Sequence, residues 1–153
     1  MSVIMMMATI LFAYVVATIL ERGEERTPFF EGNKDIVAVL DKIPEIYENP
    51  ETATEICTIN AVLKHRDKAT GCREKLTGPS AIGAFKKEMG KAFSKVGLSI
   101  TRIKKKSDRA SVEYCLLTQS AEGGPIESRH RCSAEMVKMG QIWKIKRMKL
   151  RTV

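Results

Sequence analysis

Between Leu98 and Val153 apolar and polar side chains alternate in four runs, Leu98 to Lys105, Arg109 to Gln119, Ile126 to Met139 and Gln141 to Leu150. The runs are broken by Ser107-Asp108, by Gly123-Gly124-Pro125 and by Gly140, residues that favour turns. A period of two is that of a β-strand with one buried face. Ala110, Val112, Tyr114 and Leu116 fall on one face, and Ser111, Glu113 and Cys115 on the other. In the last run Trp143 and Ile145 point one way and Lys144 and Lys146 the other, but Met148 and Leu150 resume out of phase. A β-bulge at Lys146-Arg147 restores the phase. A sheet with one apolar face needs elements laid across it, which the upstream sequence must supply.

Upstream, Ile36, Leu40, Ile43 and Tyr47 recur at helical spacing behind Asn33, a good N-cap. The pattern predicts a helix from Lys34 to about Tyr47, bent or stopped where Pro44 removes a donor. The β-branched Thr54, Ile56, Thr58, Ile59 and Val62 predict a strand over Thr54 to Leu63. His65 to Gly71 follows as a polar loop and Cys72 to Leu76 as the return arm of a hairpin. Pro79 then opens a second helix, in which Ile82, Phe85, Met89, Phe93 and Val96 form an apolar stripe opposite Lys86, Lys87 and Lys91, closed by Gly97. The expected class is α+β: a hairpin and a four-strand meander forming a curved antiparallel sheet around two or three helices.

This order resembles the nuclear transport factor 2-like superfamily, whose sheet curls around helices as a cone. The resemblance is carried by Thr58 to Phe85, TINAVLKHRDKATGCREKLTGPSAIGAF: strand, loop, a second strand ending Leu-Thr-Gly, then a helix opening Pro-x-Ala-Ile-x-x-Phe. With the closing strands it extends over about Asn33 to Val153. It implies a pocket inside the cone, for which Tyr47, Phe85, Met89, Tyr114, Leu116 and Trp143 are the candidate lining, and a small hydrophobic ligand. Enzymes of the superfamily place an Asp or His base in that pocket with a Tyr or acid to polarise a carbonyl. Here Tyr114 and His130, on strands that should pair, are the candidates for an isomerase or dehydratase type of chemistry. Against that reading, His130 stands between Arg129 and Arg131, a neighbourhood typical of surface positions, and no Asp falls on an apolar face. The cystatins share a related fold, but their Gln-x-Val-x-Gly loop is missing, so protease inhibition is set aside. The run Gly78 to Gly83 echoes a phosphate loop without its Lys-Ser/Thr ending. No cofactor is expected.

Residues 2–20 carry no charge. Val15-Val16-Ala17 offers a Val-x-Ala cleavage site, so residues 1–17 are read as a signal peptide, with a membrane anchor over 2–20 as the alternative. Residues 18–32 form an extension and 33–153 the domain, and either reading of the first segment puts the domain outside the cell, most simply as a secreted protein. In that setting four cysteines suggest disulfides. A hairpin centred on Gly123-Gly124 sets Cys115 opposite Cys132. A register one residue away sets Val112, Tyr114 and Leu116 opposite Ala134, Cys132 and His130, which suits the apolar faces better but separates the thiols. The disulfide is the expectation adopted, because a loop of that size gains about 3 kcal/mol on closure. Cys57 and Cys72 are left to pair. No Cys-x-x-Cys spacing occurs and no metal is expected.

Charge is uneven along the chain. Residues 1–96 hold 13 Lys/Arg against 13 Asp/Glu, and residues 97–153 hold 13 against 5. Lys104, Lys105, Lys106, Lys144, Lys146 and Lys149 are therefore candidate anion-binding residues, for an extracellular polyanion or an anionic lipid surface. Nucleic acid is not expected, since stacking aromatics do not accompany the basic run. A homodimer formed through the sheet is a further possibility. The functional expectation is non-catalytic binding, of a small ligand in the cone or of an anionic partner on the sheet.

Overall fold

The computed structural model describes residues 32–152, apart from the Arg129 side chain. The apolar run 2–20 and the expected cut before Thr18 lie outside the described residues. Among those residues no helix is long and apolar enough to cross a membrane.

Asn33 occupies the N-cap position of helix α1 (Lys34–Leu40), its carbonyl accepting from the Val37 amide at 2.9 Å. Pro44 acts as the stop it promised to be: the chain turns and continues as a single 3₁₀ turn, Pro44–Tyr47. The segment expected to begin a strand is instead a short helix, α2 (Thr52–Ile56). Thr52, Ala53 and Ile56 fall on one buried side of it, so burial overrides the β-branched propensity that favoured a strand. Strand β1 (Cys57–Asp67) starts only at Cys57 and runs through His65 to Asp67, residues expected in a loop. Its pairing continues that far because its neighbour β6 (Ile142–Thr152) carries it, down to Asp67 opposite Thr152.

Strand β2 (Arg73–Thr77) returns beside β1, and helix α3 (Pro79–Gly90) follows. That helix is shorter than expected: Phe93, Val96 and Gly97 belong to strand β3 (Phe93–Lys106), where Val96 and Gly97 pair with Thr118 and Leu117 of strand β4 (Arg109–Ser120). With β5 (Glu127–Met139) the sheet has six strands in the order β2-β1-β6-β5-β4-β3. It is mixed, not antiparallel throughout, because β1 lies parallel to β6. The bulge is where the phase slip placed it: Glu135 pairs with Arg147 and Met136 with Ile145, which leaves Lys146 as the extra residue. Further shifts in β3 and between β4 and β5 add the twist and bend that curl the sheet.

The inner face of this sheet, including Leu63, Val112, Leu116, Ala134, Met136, Ile145, Met148 and Leu150, packs against Ile36, Leu40, Ile43 and Ile46 and against Ile82 of α3. The orientation of α3 differs from the stripe reading. A Cβ on Gly83 would stand 2.6 Å from the Pro50 carbonyl oxygen, and one on Gly90 2.8 Å from that of Tyr47. The two glycines let the preceding chain lie directly on the helix backbone, so the face that turns inward is the one carrying positions 83, 86 and 90. Phe85 and Met89 are left half-buried at its border, and Lys86, expected on the polar side, is 1% exposed.

Candidate functional site

Two regions bear on function. The first is the interior of the cone. Tyr47, Tyr114, Leu116 and Trp143, expected to line a pocket, are buried members of the core, with Phe85 and Met89 packed against it. Among them stands Lys86, whose ammonium donates to the Tyr47 hydroxyl at 3.1 Å and lies 4.8 Å from the centroid of the same ring. Among the described residues no carboxylate forms an ion pair with it. Its surroundings are phenols and thiols. Burial raises the pKa of Tyr47 against the lowering effect of Lys86. It raises Tyr114 well above the usual phenol range, with the neighbouring Cys132 adding to the effect. Burial likewise lifts Cys57 to about 11 and Cys132 to about 12, again opposed by Lys86. The phenols and thiols around Lys86 are thus held protonated near neutral pH and act as hydrogen-bond donors.

His130 is buried, contrary to the surface position its neighbours suggested, with its ring edge-on to Phe93 at 5.6 Å between centroids. It pairs with Leu116 while Tyr114 pairs with Cys132, so the two candidates share the inner face one step apart along the strands. His65 also packs inward, 5.2 Å from the Phe85 ring, its Nε2 3.3 Å from the Thr152 hydroxyl.

The pairing Tyr114–Cys132 corrects the disulfide expectation. Cys132 faces the core and Cys115, opposite Arg131, faces outward, so the cross-strand bond is excluded by the alternation of the strands. Burial of Val112, Tyr114 and Leu116 against Ala134, Cys132 and His130 decided the register. Cys57 begins β1 while Cys72 lies beyond its far end, before β2, so they do not meet either. All four thiols are free.

The second region is the outer face of the sheet. The strand registers bring Arg73, Arg66, Arg151 and Arg131 into one row across β2, β1, β6 and β5. The adjacent row, two residues along each strand, carries Lys75, Lys64 and Lys149 and then Ser133. Directly opposed side chains have Cβ atoms roughly 4.5–5.5 Å apart, and the rows are roughly 7 Å apart. All seven cations are exposed, and no ion pair among the described residues involves any of them. The acids on this face begin outside the cluster, with Glu113 opposite Ser133 and Arg102, and with Glu135, which pairs with Arg147 at 3.6 Å. Two shallow depressions of about 390 and about 540 Å³ lie over the rows and share Lys149 and Arg151. Like charges set opposite one another weaken a sheet, so this arrangement costs stability.

The lysines singled out in the sequence are scattered by the fold. Lys149 belongs to the rows. Lys144 donates to the Glu55 carbonyl, Lys146 is the bulge residue, and Lys104, Lys105 and Lys106 lie at the far end of β3, where Lys105 reaches to 5.9 Å from the Trp143 ring centroid. Lys64, Arg66, Arg73, Lys75 and Arg131 were missed. Their signal was a two-residue repeat of cations, Lys64-x-Arg66, Arg73-x-Lys75 and Lys149-x-Arg151, one on each of three strands. It becomes a cluster only when the strands are set side by side.

No family model matches the chain, and no curated protein does. Solved structures do. An NTF2-like protein of unknown function from Silicibacter pomeroyi superposes with a TM-score of 0.63 at 12% identity, covering 83% of this chain and all of the other. A protein of unknown function with a cystatin-like fold from Nostoc punctiforme gives 0.62 at 12% identity, over 79% of this chain and 90% of the other. A de novo designed protein with a curved β-sheet gives 0.50 at 18% identity, over 78% of this chain and 96% of the other. The chain has the nuclear transport factor 2-like, cystatin-like cone fold. At these identities the likeness shows the fold and leaves function to the residues.

Proposed function

We propose that this protein is an exported, non-catalytic binding domain that holds a polyanion against the outer face of its sheet. The observation that carries the reading is the row Arg73, Arg66, Arg151 and Arg131 beside Lys75, Lys64 and Lys149, with no carboxylate between them. Arginine presents a planar fork that matches sulfate and phosphate groups, and four in a line favour a linear polymer of such groups over a single small anion. Solubility alone needs net charge, not seven cations on one contiguous patch. The cone interior favours the same division of labour. Lys86 engages the Tyr47 hydroxyl, and the buried phenols and thiols around it are held protonated, so none of them serves as a base near neutral pH.

The test is retention on immobilised heparin as a function of salt. Wild-type protein should elute late, with affinity falling steeply as salt rises, because screening tightens to about 8 Å at physiological ionic strength. Arg66→Ala with Arg151→Ala should lower both affinity and the salt slope, by roughly one unit of slope for each contact removed. Unchanged elution of that double variant would reject the face as the binding site.

A further inference from the structure

Two of the meander's three turns, Ser107-Asp108 and Gly140-Gln141, lie at the end of the sheet opposite the arginine row, joined by the Lys138 amide donating to the Asp108 carbonyl at 2.8 Å. At this tip Met139 and Ile142, cross-strand neighbours, are 58% and 60% exposed. Lys106 and Arg109 share a row with Val137, one step short of Met139, with Lys105 and Lys104 next along β3, all four exposed, and Lys138 half-buried on β5. Asp108 is the one acid of the two turns, and Glu135, in the row of Lys104 and Ser111, is engaged by Arg147. Two apolar side chains projecting from a collar of five cations is an amphipathic tip. We propose that it docks onto a bilayer surface containing anionic phospholipid, the apolar pair entering the headgroup layer and the collar meeting the phosphates. Size and charge select this occupant. A stable protein partner needs about 800 Å² on each side, more than two side chains provide, whereas shallow insertion needs only a small apolar point. A membrane surface also tolerates the flexible lysines that a packed protein interface would have to order.

The proposal is independent of the polyanion reading. Ile142 and Arg151 stand nine residues apart on β6, roughly 30 Å along the strand, so the two surfaces can be altered separately. Trp143 is the only tryptophan of the chain and adjoins the tip, which gives a readout local to it. The full chain would be incubated with vesicles of phosphatidylcholine, alone or mixed with phosphatidylserine, carrying a headgroup spin label, and quenching of Trp143 fluorescence recorded. Quenching is expected only where phosphatidylserine is present. It should fall at least several-fold in Met139→Ser with Ile142→Ser and in Lys104→Ala with Lys105→Ala and Lys106→Ala, and persist in Arg66→Ala with Arg151→Ala. All the altered side chains are exposed, and near-ultraviolet circular dichroism verifies their folding. Equal quenching with both lipids, quenching unchanged in the tip variants, or its loss in the arginine variant alone would each overturn the proposal. The last result would show that the bilayer is bound by the polyanion face.

Discussion

The Lys86 ammonium sits 3.1 Å from the Tyr47 hydroxyl, with the amine and the ring both sealed inside the cone. A hydrogen bond and a cation–π contact offset only part of what it costs to bury a charge, since removing an ammonium from water costs several kcal/mol when no carboxylate accompanies it.

The pair therefore predicts an asymmetry between two kinds of substitution. Lys86→Met, which fills the same space with apolar atoms, should leave the melting temperature unchanged or raise it. Tyr47→Phe, which keeps the amine and removes its acceptor, should destabilise by about 1–3 kcal/mol. Denaturant unfolding of both variants checks this, and a large loss in Lys86→Met would show that the amine is a net structural contributor.

Helix α3 makes a second prediction, opposed to ordinary helix propensity. Glycine to alanine inside a helix normally gains up to about 1 kcal/mol. At Gly83 and Gly90 the added methyl group would meet the backbone oxygens of Pro50 and Tyr47 at 2.6 and 2.8 Å, so both substitutions should lower stability. Thermal melts of Gly83→Ala and Gly90→Ala decide the sign.

These glycines also explain what the sequence could and could not reveal. The alternation of Ala110, Val112, Tyr114 and Leu116 is local, and so is the slip before Met148 that located the bulge; both were legible, as was the order of elements that led to the cone fold. The inward turn of Lys86 was not, because it depends on Pro50 and Tyr47 lying against glycines more than thirty positions further along. Nor was the cation cluster, which requires the parallel register of Lys64 with Lys149 and Arg66 with Arg151. The cysteine pairing failed for a third reason. Index symmetry about Gly123-Gly124 competes with the matching of apolar faces, and in a buried hairpin the faces prevail.

The thiols should divide by exposure. Cys72 is exposed and Cys115 partly so, while Cys57 and Cys132 are buried. Native protein should react with a thiol reagent at Cys72 and Cys115 and release the other two only on unfolding, as peptide mapping of the labelled protein would show. Labelling of Cys132 in the native state would contradict the register.

Stability should fall in alkali. A thiol is neutral when protonated, and burial holds Cys57 at about 11 and Cys132 at about 12, above the unfolded value of about 8.5–9. Above pH of about 9 the unfolded chain sheds protons that the native state retains, so this contribution is complete below that pH and is lost as pH rises through the native values. Tyr47 and Tyr114 act in the same direction. Urea unfolding at pH of about 8 and about 10.5 should show the decline, and Cys57→Ala with Cys132→Ala should flatten part of it. A pH-independent midpoint would contradict the burial.

The central claim is that a polyanion lies along the arginine row, and an NMR titration of the protein with a heparin oligosaccharide tests it most directly. The account predicts that the largest shifts fall on Arg66, Arg73, Arg131 and Arg151 and on Lys64, Lys75 and Lys149, with Lys104 to Lys106 little changed. Shifts confined to Lys104 to Lys106, or none at physiological salt, would contradict it.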